Sequence, residues 1–182
     1  MNTIVLFLIL SIPILWFSRK PLLHFNSHGF YRFFGWEATL FLFVNNYLYW
    51  FDNKFQWHQI VSYILLIYAF IIVLWGGWFL LKKGKRDHSR EDPHLFGFEK
   101  TANLVESGIY RYIRHPLYAS LVFLTWGIFF KNISGLLFVI CLLATFFYYK
   151  TMKIEEKENI AYFGNSYSDY MKRSKMMLPF IL

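Results

Sequence analysis

Long apolar runs separated by polar connections dominate the pattern of the chain. There are five such runs: Met1–Phe17, Phe34–Phe51, Gln59–Leu81, Leu117–Phe130 and Ile133–Tyr149. As a helix, the third run would be about 34 Å long, enough to cross a hydrocarbon core of about 30 Å. The fourth is marginal for a span on its own, and only a short polar link separates it from the fifth, which predicts a tight helical hairpin. The pattern therefore predicts about five membrane helices.

The composition supports the same class of protein. Hydrophobic residues make up 57% of the chain and charged residues 16%, whereas a soluble domain carries about 25% charged residues. Disorder is excluded because it requires low hydrophobicity and high charge. Cys141 is the single cysteine, so the chain is not a disulfide scaffold, and no Cys and His spacing suggests zinc. We therefore expect an all-α integral membrane helical bundle that binds no metal.

The charge distribution orients this bundle. The chain has 19 Lys and Arg residues against 11 acidic residues. When the connections are assigned alternately to the two membrane sides, all of the cations except Lys54 and Lys131 fall on one side. The positive-inside rule then predicts five crossings, with the N-terminus outside and the C-terminus in the cytoplasm. A basic inner face also explains the net charge of +8 without a nucleic-acid partner.

Two polar segments on the inner side are long enough to carry chemistry. One is Lys82–Pro116, and the other is the tail after Tyr149. The first ends with Arg114 and His115 directly before Pro116, a residue that suits the first turn of a helix. Since a helix N-terminus favours anions, these cations could hold a carboxylate or a phosphate. They could equally be ordinary membrane-surface anchors.

Three acidic side chains are candidates for function. Glu155 and Glu156 lie on the continuation of the last helix, where neighbouring residues diverge by about 100°, so only one can face a pocket. The alternative is a solvated face with alternating charges. Glu37 lies within the second apolar run, where a carboxylate is costly in lipid. It is either functional, or it pairs with Arg32 or faces the bundle interior.

The order of these motifs resembles that in the isoprenylcysteine carboxyl methyltransferase and phospholipid methyltransferase superfamily. The segment Gly108–Tyr118, followed after a helical hairpin by Glu155 and Glu156, is similar to the family pattern RHPxYxG…EE. Tyr162–Tyr170 is similar to its FGxxYxxY segment, and Leu178–Ile181 to its closing segment. The resemblance covers roughly residues 95–182. Residues 1–94 share only the general character of family members and no motif, although residues 27–34 are similar to a segment of bacterial members.

The resemblance implies a fold and a location. We expect a single membrane methyltransferase domain over residues 1–182, with N-terminal helices in 1–94 and a cofactor-binding catalytic core in 95–182. The core would combine membrane helices with a cofactor-binding connector and a C-terminal cytosolic helix. The protein would be a multi-pass protein of a bacterial or archaeal cytoplasmic membrane.

The resemblance also implies an activity and its site residues. The activity is transfer of a methyl group from S-adenosylmethionine to a lipophilic acceptor at the inner membrane interface, with S-adenosylhomocysteine as product. The acceptor would be an isoprenylcysteine-like carboxylate, a thiol or a phospholipid amine, and membrane lipids would be the other partners. The implied cofactor contacts are Asn103, Leu104, Val105, Tyr110, His115, Pro116, Leu117, Tyr118 and Glu155. The catalytic candidates are Arg114, Glu155 and Glu156, and the substrate-binding candidates are Arg32, Glu37 and Thr151.

The chain departs from the family pattern at three positions. Ser120 stands where the pattern has glycine, and Ala102 stands where prenylcysteine enzymes have histidine. Thr151 stands where those enzymes place a substrate-binding arginine. Lys150 or Lys153 could replace that arginine, but lysine lacks the fork that grips a carboxylate. Two other readings of the sequence remain: a protein related to NADPH-binding sterol reductases, and a non-catalytic membrane protein.

Overall fold

A computed structural model describes residues 2–85, 87, 95–97 and 99–178. Over these residues the fold is all-α, as the sequence predicts, and comprises six α-helices. They are α1 (Thr3–Leu22), α2 (His28–Asn46), α3 (Trp57–Lys83), α4 (Pro116–Phe129), α5 (Gly135–Phe163) and α6 (Asn165–Arg173). A long connector between α3 and α4 includes a 3₁₀ turn at Gly108–Arg111.

Local capping sets where several helices begin. The side chains of Asn2, Ser27 and Ser134 accept hydrogen bonds from backbone N–H groups in the first turns of α1, α2 and α5. The cap at Ser27 starts α2 six residues before the apolar run that predicts it. At its other end α2 gives way to a 3₁₀ turn at Tyr47–Tyr49. Helix α2 therefore begins before the apolar run Phe34–Phe51 and ends within it.

The helices pack as two pairs that share a polar contact. The closest packing joins α2 to α5 and α3 to α4, while α1 packs on the outside of α2. The Thr39 hydroxyl group lies 2.7 Å from that of Thr125 and 2.9 Å from that of Tyr148. These contacts tie α2, α4 and α5 together in the bundle interior. Gly35 permits the close approach, because a Cβ atom there would lie 2.6 Å from the Tyr148 ring.

The helix lengths show which helices could cross a membrane. Among the described residues, α1, α3 and α5 are long and apolar enough to cross a bilayer, and α4 is a shorter apolar helix. With 14 residues, α4 is about 21 Å long, whereas α5 with 29 residues is about 43 Å long. Helix α5 is thus longer than a core of about 30 Å, and its charged residues lie in its C-terminal half. The structure thus confirms three long candidate spans, and five crossings remain a prediction.

Contacts at the two ends of the bundle show how the helices alternate. At one end, the Lys131 Nζ atom donates to the Trp50 carbonyl group at 3.3 Å and to Gln59 Oε1 at 3.0 Å. The α2–α3 and α4–α5 connections therefore meet there. At the other end, the His28 ring lies 2.5 Å from the Glu158 carboxylate. That end gathers the α1–α2 turn, the connector and the polar half of α5.

Candidate active site

A cleft opens at the polar end of the bundle and encloses about 850 Å³ of space, counted together with the solvent at its mouth. Helices α2 to α6 and the connector all contribute to its wall. The lining residues are Arg32, Trp36, Leu80, Glu99, Thr101, Leu104, Val105, Tyr110, Arg114, His115, Pro116, Leu117, Tyr118, Leu121, Glu155, Asn159, Phe163, Tyr167 and Tyr170.

The connector reaches the cleft through a sharp turn and a pairing with the C-terminal segment. Gly108 has φ +64°, and a Cβ atom there would lie 2.4 Å from the Phe79 ring, so this turn requires glycine. The backbone N–H groups of Arg114 and His115 then donate to the carbonyl groups of Lys175 and Met176 at 2.8 and 3.1 Å. This short parallel pairing fixes the backbone of both residues directly before α4 begins.

His115 and Glu155 lie next to each other in the wall of the cleft. His115 is buried, and its Nδ1 atom lies 3.6 Å from Glu155 Oε2. Burial alone would lower the pKa of His115, but the carboxylates of Glu155 and Glu156 raise it above its usual value. Among the described residues, His115 Nε2 and Glu155 Oε2 are buried atoms without a hydrogen-bond partner. These two atoms lie within ion-pair distance of opposite charges but make no hydrogen bond within the described structure, so a polar ligand can supply one.

Glu156 lies behind the cleft wall in an ion pair with Arg114. Glu156 Oε1 accepts hydrogen bonds from Arg114 Nε at 2.9 Å and Nη2 at 2.6 Å. The Nη1 group of Arg114 donates to the carbonyl groups of Met171 and Ser174. Lys153 Nζ lies 3.2 Å from Glu156 Oε2. Glu156 is buried, so it does not belong to a solvated face.

Arg32 belongs to a buried polar chain that joins α2, the connector and α5. Its Nη1 group donates to Glu99 Oε1 and to the Tyr118 hydroxyl oxygen at 3.3 Å. Glu99 lies 3.6 Å from the His28 ring, which contacts Glu158. Burial alone would raise the pKa of Glu99, but Arg32 and His28 lower it below its usual value. The predicted alternative of a pair between Arg32 and Glu37 was therefore wrong.

Most of the residues that line this cleft belong to one continuous segment of the sequence, and this segment identifies the protein family. Residues 57–166 match the family model described as phospholipid methyltransferase. The chain belongs to the phospholipid methyltransferase family. The matched residues run from α3 into α6, so they include His115 and Glu155, whereas Arg32 and His28 lie outside them.

Two curated relatives of known name share part of this sequence. The chain is 28% identical over 134 residues to the methanethiol S-methyltransferase of Crocosphaera subtropica, covering 72% of this chain and 50% of the relative. It is 29% identical over 87 residues to methanethiol S-methyltransferase 1 of Bradyrhizobium diazoefficiens, covering 47% of this chain and 30% of the relative. The chain thus spans half or less of the length of these relatives. No solved structure matches significantly.

Most of the cofactor contacts implied by the phospholipid methyltransferase family lie together in the cleft. Leu104, Val105, Tyr110, Glu155 and the segment from His115 to Tyr118 all line it. Asn103 does not line it in the described structure. Its side chain is exposed, and its backbone N–H group donates to the Gly84 carbonyl group at 2.9 Å. The neighbouring Thr101 lines the cleft instead.

Two of the three substrate-binding candidates lie elsewhere. Glu37 Oε2 accepts a hydrogen bond of 2.7 Å from the Ser11 hydroxyl group, which directs the carboxylate towards α1. Thr151 is fully buried, and its hydroxyl group donates to the Phe147 carbonyl group within α5. Neither residue is among those that line the cleft, whereas Arg32 is.

Several lining residues were not predicted as site residues. Asn159 lies one helical turn after Glu155, and this i, i+4 spacing is a signal that could have found it. Tyr167 and Tyr170 belong to the Tyr162–Tyr170 motif, and the Tyr170 hydroxyl group donates to the Tyr110 carbonyl group at 2.6 Å. Glu99 and Trp36 carry no motif signal, because folding alone brings them to the cleft.

Proposed function

We propose that the cleft binds S-adenosylmethionine and that the protein transfers its methyl group to a small lipophilic acceptor, with a thiol as the acceptor we favour. The family assignment supports methyl transfer over an NADPH-dependent reduction. The observation that carries the proposal is the presence in this cleft of two buried atoms without a hydrogen-bond partner in the described structure, His115 Nε2 and Glu155 Oε2.

The side chains of the cleft fit the chemistry of this cofactor. Glu155 offers a carboxylate oxygen to the cofactor's ammonium group or sulfonium centre. A protonated His115, which the neighbouring carboxylates favour, offers an N–H donor to the cofactor carboxylate. The rings of Tyr110 and Tyr118 line the same space, and aromatic faces attract a sulfonium cation.

The protein's part in the reaction is mainly positioning and exclusion of water. S-adenosylmethionine supplies a methyl group on a positively charged sulfur, which a nucleophile can displace directly. Trp36, Leu117 and Leu121 give the cleft apolar surface, which excludes water from an acceptor entering from the membrane. A thiolate or carboxylate acceptor requires no strong base, whereas for an amine Glu155 would take the proton.

The contacts of the lysines favour a thiol over an isoprenylcysteine carboxylate. Thr151 supplies no cation, and neither Lys150 nor Lys153 is among the described residues of the cleft wall. The Lys150 ammonium group lies 5.8 Å from the centre of the Phe146 ring, and Lys153 contacts Glu156. Both curated relatives are named for methyl transfer to methanethiol. A carboxylate and a phospholipid amine are the other acceptor classes to be tested.

We further infer that the helices α1 to α5 each cross the membrane, with the N-terminus outside and the cleft at the cytoplasmic surface. The whole chain would form one domain, in which residues 95–182 form the core and α2 adds Arg32 and Trp36. The location would be a bacterial or archaeal cytoplasmic membrane. A reporter fused to the C-terminus should be cytoplasmic, and an external signal would contradict this topology.

Cofactor binding is the direct test of the proposed site. The protein purified in detergent should bind S-adenosylhomocysteine in a calorimetric titration, and an excess of NADPH should not displace it. Displacement by NADPH would favour the reductase reading. A folded protein that binds neither compound would indicate a non-catalytic membrane protein.

A further inference from the structure

Arg32 is a cation of the cleft wall with one of its donor groups unsatisfied. Its side chain is 3% exposed, it lines the cleft, and its Nη2 group is buried without a hydrogen-bond partner in the described structure. Leaving a charged donor unpaired in a buried site has a larger desolvation penalty than leaving a neutral donor unpaired. This nitrogen therefore marks a place where a bound ligand completes the structure.

The surroundings hold the guanidinium group in one orientation. Nη1 is occupied by Glu99 and the Tyr118 hydroxyl oxygen. The Phe96 and Trp36 rings lie 4.3 and 5.0 Å from its central carbon, so the cation is also fixed by aromatic faces. His28 and Glu158 support Glu99 from behind. Arg32 is thus rigid, with Nη2 left for a ligand.

The charge balance of the cleft indicates what kind of ligand this is. Among the described residues, Arg32 pairs with Glu99, Arg114 with Glu156, and His115 with Glu155. These pairs leave the cleft close to neutral. S-adenosylmethionine brings one net positive charge, since it has a sulfonium, an ammonium and a carboxylate. An acceptor that reacts as an anion would neutralise this charge in a site of low dielectric constant, whereas the guanidinium group would repel an ammonium.

We propose, on the basis of the proposed function, that Arg32 is the acceptor-binding residue and that its Nη2 group holds the sulfur of a small thiol as a thiolate. The Nη1–Nη2 edge is half occupied by Glu99, which hinders a forked grip on a carboxylate, whereas a single sulfur anion needs one donor. Trp36 and Leu121 give the same wall an apolar surface that suits a short alkyl chain.

With a thiolate held by Arg32, the methyl transfer proceeds in three changes of bonding. The thiol S–H proton leaves to water at the mouth of the cleft as Arg32 stabilises the thiolate. A sulfur lone pair of the thiolate forms the new S–C bond to the methyl carbon. The old bond between this carbon and the cofactor sulfur breaks, and its electron pair stays on that sulfur. The products are a methyl thioether and S-adenosylhomocysteine.

The ultraviolet absorbance of the thiolate shows at which pH the bound thiol ionises. This pH would not change if Arg32 had a structural role alone. Ethanethiol is titrated with pH in the presence of the purified protein saturated with S-adenosylhomocysteine. We expect the bound thiol to ionise at lower pH than the free thiol. Arg32→Gln should abolish this shift and weaken thiol binding by about ten- to a hundredfold, the effect of one lost charged hydrogen bond. Arg32→Lys, which keeps the charge, should retain part of both.

The control is Arg19→Gln, which removes the same charge from an exposed residue that stacks on Trp16 of α1. It should change neither the titration nor the affinity for S-adenosylhomocysteine. Should Arg32→Gln fail to fold, the wild-type titration still decides, because a bound thiol that ionises as in water overturns the proposal. The proposal is also overturned if the wild-type complex with S-adenosylhomocysteine binds decanoate or decylamine but no thiol. Either of these results leaves the proposed methyl transfer standing. A wild-type protein that does not bind S-adenosylhomocysteine contradicts the proposed function as well as the role of Arg32.

Discussion

The Glu155→Gln variant is expected to bind S-adenosylhomocysteine about ten- to a hundredfold more weakly than the wild type, with its fold intact. Glu155 lines the cleft, and its Oε2 atom is buried without a hydrogen-bond partner among the described residues. A hydrogen bond between a carboxylate and a cationic ligand contributes about 1.5–3 kcal/mol. The amide keeps the shape of the side chain and removes the charge. Calorimetric titration measures the affinity, and thermal unfolding in detergent monitors the fold.

A matched control for Glu155 exists on the surface. Glu106 pairs with Arg173 at 2.6 Å in an exposed ion pair, and such pairs contribute little to stability. Glu106→Gln makes the same chemical change outside the cleft wall and should leave the affinity unchanged. Equal affinities in the wild type and Glu155→Gln would mean that the cofactor does not contact this carboxylate.

The Glu156→Gln variant is expected to lose stability, by about 3–5 kcal/mol, through the loss of a buried ion pair. The side chains of Arg114 and Glu156 are 8% and 4% exposed. Removing the carboxylate charge therefore leaves the guanidinium group buried and uncompensated. The measurement is the unfolding midpoint in detergent, taken with and without S-adenosylhomocysteine.

Lys153→Gln is the control for Glu156. The Lys153 side chain is 43% exposed, so its bond to Glu156 is screened by solvent and its loss should shift the midpoint only slightly. The substitutions of the two adjacent glutamates are thus expected to have different effects. Glu155→Gln should weaken ligand binding, and Glu156→Gln should lower the stability of the protein. A stable Glu156→Gln protein that no longer binds S-adenosylhomocysteine would show that Glu156, and not Glu155, faces the cofactor.

Much of the fold follows from local features of the sequence. Apolar runs long enough to span a membrane predict α1, α3 and α5 directly, and the placement of Glu155 and Glu156 on an extension of α5 follows from the unbroken helical pattern. Pro116 predicts where α4 begins. The start of α2 does not follow from its apolar run, because the cap at Ser27 begins the helix upstream of that run.

The parts of the site that could not be predicted depend on long-range contacts. Arg32 meets Glu99 across 67 positions of sequence, and only the packing of the connector against α2 brings them together. Glu37 was a candidate because a carboxylate is costly in lipid, yet a hydroxyl group on α1 satisfies one of its oxygens. Asn103 was placed by its motif, but the connector turns its side chain to solvent.

An assay of methyl transfer to a thiol tests the proposed function most directly. The purified protein is given S-adenosylmethionine labelled in its methyl group together with ethanethiol, and the label is followed into the volatile thioether. We expect labelled product from the wild type and from Glu106→Gln, with strongly reduced product from Glu155→Gln. A folded wild-type protein that binds S-adenosylhomocysteine but labels neither the thiol nor any component of a total membrane extract would contradict the proposed function.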